Sequence, residues 1–124
     1  MKFNAFFSGC AAVLAVFLFA GCGGDAPEEV MKQWHEALIA GDLEKANALS
    51  TTETQTLNKL VIALLKNERD NNGGPQTRDI RSTTVEKVTI NGDHAILHYH
   101  TDKHSGKKMK LVKLNGKWLV DEKK

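Results

Sequence analysis

Asn91-Gly92 and Asn115-Gly116 each stand between runs in which apolar and polar residues alternate, and this leaves little choice for the C-terminal third of the chain. Asn-Gly supplies the left-handed backbone that a tight hairpin needs, and alternation is the signature of a strand with one buried face. IRSTTVEKVTI, DHAILHYHT, KMKLVKL and KWLVDE therefore read as four antiparallel strands, with a KHSGK loop between the second and third. Asn91-Gly92 as a two-residue turn pairs Ile90 with Asp93 and Val88 with Ala95.

Ahead of Ile80 the apolar period is that of helices. In EEVMKQWHEALIAGD, Val30, Met31, Trp34, Ala37 and Leu38 form one stripe. Asp25 stands three places before Glu28 as a capping pair, Pro27 suits the first turn, and Gly41 suits a left-handed stop. Glu28 and Lys32 are spaced as an ion pair four apart, and His35 falls on the flank of the stripe. Asp42 caps a short second helix through Leu43, Ala46 and Leu49. Ser50 with Glu53, or Thr52 with Gln55, starts a third that turns Leu57, Leu60, Val61, Leu64 and Leu65 to one side. RDNNGGPQTRD, with no apolar residue, reads as a mobile loop. Three helices followed by a meander predict an α+β fold, N-terminal helices packed on one face of a four-stranded antiparallel sheet.

The N-terminus addresses the chain to the cell envelope. Lys2 precedes an apolar run from Ala5 to Ala20, and no charge follows until Asp25. The run ends FAGC, which resembles a bacterial lipobox with Phe19 in place of the usual Leu. Residues 1-21 then form a lipoprotein signal peptide, Cys22 carries the lipid, residues 22-26 are a lipidated tether and 27-124 a single domain. An uncleaved signal anchor is the alternative, and both export the domain. Several acyl chains hold a protein to a bilayer essentially permanently, and Gly23 in place of Asp after the cysteine points to the outer membrane. With Cys10 leaving and Cys22 lipidated, no thiol remains for a disulfide, so the fold stands on its core.

Charge is lopsided. Residues 22-79 hold six Lys/Arg against ten Asp/Glu, and residues 80-124 hold ten against five. Such asymmetry marks either a solvated face or an anionic partner, and an exported, anchored domain argues against nucleic acid.

The phrases EEVMKQWHEALIAGDLEKANALS and KLVKLNGKWLVDE, with Gly41-Asp42 closing the first helix and Asn115-Gly116-Lys117-Trp118 in the last hairpin, resemble the small exported domains of the NTF2-like, cystatin-like superfamily, over residues 26-122. Within it the likeness is to the bacterial lipoprotein group of unknown function DUF4878. The resemblance implies a curved sheet wrapped round the first helix and a cone that many relatives use as a pocket. It carries over no catalytic motif. Residues placed to line such a cone are Trp34, Leu38, Leu97, Tyr99 and Trp118.

Four of the five histidines lie in HAILHYHTDKH. Strand alternation puts His94, Ile96, His98, His100, Asp102 and His104 on one face and Ala95, Leu97, Tyr99 and Thr101 on the other, which is the apolar, helix-covered one. His98 and His100, roughly 7 Å apart along the strand, with His104 or Asp102, are candidate metal ligands; a plain solvated face, incidental metal binding and a pH response near 6.5 are the alternatives. Acid-base candidates are Tyr99, His35 and Asp102. The expected function is a lipid-anchored envelope domain without cofactor or catalysis that binds a small apolar ligand or an envelope protein, or pairs with itself. A metal-binding lipoprotein or a small NTF2-like enzyme are the alternatives.

Overall fold

The computed structural model describes residues 25–122, so the signal segment, Cys22 and the start of the tether lie outside it. The elements are α1 (Pro27–Ala40), α2 (Leu43–Ala48), α3 (Thr52–Asn72), α4 (Pro75–Arg81), β1 (Thr84–Asn91), β2 (His94–His100), β3 (Lys107–Leu114) and β4 (Lys117–Val120). The strands form one antiparallel sheet in chain order.

α1 buries Pro27, Val30, Met31, Trp34, Ala37 and Leu38, the stripe its spacing requires. Gly41 ends it in the left-handed region, and Asp42 accepts from the Lys45 N–H to start α2. Asp25 does not cap α1: Ala26 holds the cap position without a side-chain bond, and the Asp25 carboxylate accepts instead from Gln33 Nε2 at 2.7 Å. On the sheet, Ala95, Leu97, Met109, Leu111, Trp118 and Val120 meet this stripe in the core.

α3 departs from its apolar pattern. Its buried positions are Thr54, Asn58 and Leu65, with Val61 and Ile62 packed beside them, while Leu60 and Leu64 are 45% and 56% exposed. The cause is a polar seam. Trp34 Nε1 donates to Asn58 Oδ1 at 2.8 Å, and Asn58 Nδ2 donates to Asn47 Oδ1 and Ser50 Oγ, each at 3.0 Å. A buried indole N–H demands an acceptor, so α3 turns Asn58 inward and its leucines rotate out. Neither expected capping box forms at its start. Thr51 is the cap residue, and its hydroxyl bonds to that of Thr54 and donates to Asp121 Oδ1.

α3 runs on to Asn72, and the segment expected as a loop holds α4. Gly73 and Gly74 both take positive φ, Pro75 opens α4, and its N-terminus is capped from α3, where Glu68 Oε1 accepts from the Gln76 N–H at 2.8 Å. The first strand accordingly begins at Thr84, not Ile80.

In the first hairpin Asn91 pairs with His94, so Gly92-Asp93 is the turn, and Ile90 faces Ala95. This is a two-residue shift from the pairing expected, which preserves which residues share a face. Val88 is half-buried, but Ile90 lies beyond the reach of the helices and is exposed. Asn115-Gly116 forms the second turn as expected, with φ 53° and 80°. The outer edge of β4 is covered by the α2–α3 connection: Val120 N donates to Leu49 O and Thr51 N to Val120 O.

Candidate functional site

α1 carries a second stripe. Glu28, Lys32, His35, Glu36 and Ile39 recur at helical spacing on the flank beside the buried face. α4 folds back beside this flank and brings Ile80, Arg81 and the following Thr83 and Val85 opposite it, with Arg69 arriving from α3. Between these walls is a cleft of about 830 Å³, within the range of small-molecule sites.

Its apolar surface comes from Met31, Ile39, Ile80 and Val85. Its charged rim divides by element. Glu28, Glu29, Lys32 and Glu36 belong to α1, whereas Arg69 and Arg81 stand across from them. Among the described residues these groups form no ion pair with one another. Arg69 Nη1 lies 3.4 Å from Thr77 Oγ1, a weak contact.

His35 sits in the cleft wall, half-buried, with its ring 5.5 Å from that of Trp34. Burial lowers its pKa from the ordinary 6.5 to about 4. The imidazole is therefore neutral at ordinary pH, with one donor and one acceptor nitrogen. Neither nitrogen has a hydrogen-bond partner among the described residues.

The residues expected to line a cone are elsewhere. Trp34, Leu38, Leu97 and Trp118 fill the core, Tyr99 is half-buried against it, and none of the five lines the cleft. The space between α1 and the sheet is occupied by their own side chains. Burial, followed by the charges of Glu122 and Asp79, pushes the Tyr99 hydroxyl pKa up. Of the acid-base candidates only His35 reaches the cleft, since Asp102 lies in the β2–β3 loop with its N–H donating to Ser82 Oγ at 2.8 Å.

His94, His98 and His100 lie on the sheet face away from the helices, as alternation requires, but β2 ends at His100, so Asp102 and His104 do not continue the row, and His104 turns to α4. His98 stands between its cross-strand partners Lys87 and Lys108. His100 Nδ1 is 2.6 Å from Glu86 Oε2, and His104 Nδ1 is 3.1 Å from Asp79 Oδ2. The structure thus directs His98, His100 and His104 to three different surroundings. Among the described residues no three His, Cys, Asp or Glu side chains come together as a metal site. Burial raises the Asp79 carboxyl, but hydrogen bonds from Thr101, His104 and the Lys103 N–H outweigh it and hold its pKa below the ordinary value.

The signal that could have revealed the cleft is the polar stripe with Ile39 on α1. It meant little alone, because the opposite wall depends on α4.

No protein-family model matches the chain, and no curated protein matches it. Among solved structures, a protein from Campylobacter jejuni described as a candidate NTF2-like transpeptidase superposes with a TM-score of 0.57 at 22% identity, over 80% of this chain and 100% of that one. The fold is NTF2-like. At that identity the likeness concerns the fold alone. Among the described residues, no helix is long and apolar enough to cross a membrane.

Proposed function

We propose that this NTF2-like chain is a DUF4878-like lipoprotein, anchored to the bacterial outer membrane through Cys22, whose α1–α4 cleft binds a small amphiphilic molecule without transforming it. The observation that carries the reading is the cleft itself: an apolar floor, a charged rim and, in its wall, a neutral His35 that has no hydrogen-bond partner among the described residues. FAGC supports the anchor.

Among the described residues that line the cleft no nucleophile is held by a base, and this favours binding over acyl transfer. Acyl transfer needs a nucleophile held by a base. Thr83 is the one hydroxyl among the cleft-lining residues, and it donates to Ile80 O at 2.7 Å.

Two experiments test the reading. An alkyne analogue of palmitate fed to producing cells should label the wild-type protein and not Cys22→Ser; labelling of neither removes the anchor. In mature protein held in nanodiscs, decanoate should shift the methyl resonances of Ile39 and Ile80 saturably. It should leave Ile96, on the far face of the sheet, unmoved. The substitution Ile39→Trp, which fills the cleft, should abolish the shifts; shifts that persist, or never appear, remove the cleft as a binding site.

A further inference from the structure

Glu28 and Glu29 in the first turn of α1 are at once part of the cleft rim and the start of the folded domain. The five residues from Cys22 to Ala26 span at most about 17 Å when fully extended. On the anchored reading, which this inference rests on, the Glu28–Glu29 end of the rim is therefore held within about that distance of the bilayer surface. The amphiphiles most concentrated at its mouth are those of the membrane itself.

The rim narrows the class further. A fatty acid or an anionic headgroup would use the arginines of α3 and α4 and face three carboxylates from α1. A purely cationic ligand meets the converse arrangement. The α1 wall is net negative, three glutamates against Lys32, and the facing wall carries two arginines; among the described residues these charges do not pair with each other, which matches a ligand that carries both signs.

We infer that the cleft binds a zwitterionic, single-chain phospholipid of the lysophosphatidylethanolamine class taken from the anchoring membrane. Its phosphate lies with Arg69 and Arg81, its ammonium with the glutamates of α1, and its upper chain on Ile39, Ile80 and Val85. A quaternary ammonium would fit the glutamates less well, because it has no N–H to donate. The neutral imidazole of His35 is placed to hydrogen-bond the glycerol hydroxyl.

The test uses the mature lipoprotein in nanodiscs doped with lysophosphatidylethanolamine that bears a photoactivatable group on its chain. Irradiation should attach the probe to peptides containing Ile39 and Ile80. Unlabelled lysophosphatidylethanolamine should compete, while lysophosphatidylglycerol and decanoate should compete about tenfold less well, the loss expected for one charge-assisted contact. Arg81→Gln, an exposed position, and Glu36→Gln should each weaken labelling by a similar factor. Equal competition by the glycerol lipid, indifference to both substitutions, or attachment only at other faces such as Leu60 and Leu64 overturns the inference. If decanoate still shifts Ile39 and Ile80 in that event, the cleft remains a binding site for another class. If it does not, the binding reading falls as well.

Discussion

Trp34 and Asn58 meet across the α1–α3 interface through a single hydrogen bond, Nε1 to Oδ1 at 2.8 Å, with the asparagine fully buried. The same carboxamide donates to Asn47 and Ser50, so one side chain of α3 satisfies groups from α1, α2 and the α2–α3 connection. Truncation leaves the buried Trp34 N–H without its acceptor and Asn47 and Ser50 without this donor, although the Ser50 hydroxyl keeps its bond to Ala46 O, and a buried unsatisfied group costs about 1–3 kcal/mol. Asn58→Ala should lower stability by about 3 kcal/mol in urea unfolding. Asn47→Ala, at the half-exposed end of the seam, should cost about 1 kcal/mol. Equal effects would mean that the seam is not centred on Asn58.

Gly116 takes φ 80°, and a Cβ built there meets no atom within 4 Å. Gly116→Ala therefore isolates the backbone cost of a left-handed residue, about 1–2 kcal/mol. Asn115, at φ 53°, already tolerates that region, and Asn115→Gly should be nearly neutral. Thermal unfolding of the two variants checks the difference.

What the sequence showed of this fold was whatever depended on local period or turn chemistry. The α1 stripe, Gly41, Asp42, the inner face of β2 and the Asn115-Gly116 hairpin needed only neighbours a few residues away. α3 misled because apolar spacing places leucines inward, whereas the need of Trp34 for an acceptor, 24 residues distant, decides its rotation. α4 was hidden for a related reason: its first turn is capped by Glu68 from α3, and Arg78 Nη1 donates to Gly73 O across the double-glycine bend. The cleft was illegible in turn, since half of its wall comes with α4. The histidine row drew attention for its composition, but its carboxylate partners Glu86 and Asp79 come from β1 and α4.

Asp79 ties the β2–β3 loop to α4, accepting from the Lys103 N–H at 3.1 Å and from His104 Nδ1. Asp79→Ala should raise hydrogen exchange at the amides of Lys103 and His104 about tenfold, leaving β2 unchanged. Because the carboxyl pKa is held below its ordinary value, the clasp is complete above that ordinary value and is lost only as pH falls through the lowered one. Wild-type protein should therefore keep its loop protection through mildly acidic pH. Loss of protection already in mildly acidic solution would mean that the Asp79 carboxylate does not hold the loop.

His35 gives the cleft a pH dependence of known sign. Its pKa is about 4 in the folded chain and near 6.5 once exposed, so between these values the unfolded state binds more protons. Its contribution is fully present above pH 6.5 and falls as pH drops towards 4. A shift of this size corresponds to about 3 kcal/mol, which contact with solvent at the cleft mouth reduces to about 1–2 kcal/mol. The charges around it are Glu28, Glu29, Lys32 and Glu36 on α1, Arg69 on α3 and Arg81 on α4, and all remain in a His35→Gln variant. The difference between wild-type and His35→Gln stability, measured in urea at pH 7.5 and 4.5, should therefore move by about 1–2 kcal/mol in favour of the variant at the lower pH. A difference that stays constant would mean that the ring is solvated in both states, and that the cleft wall is wetter than its packing implies.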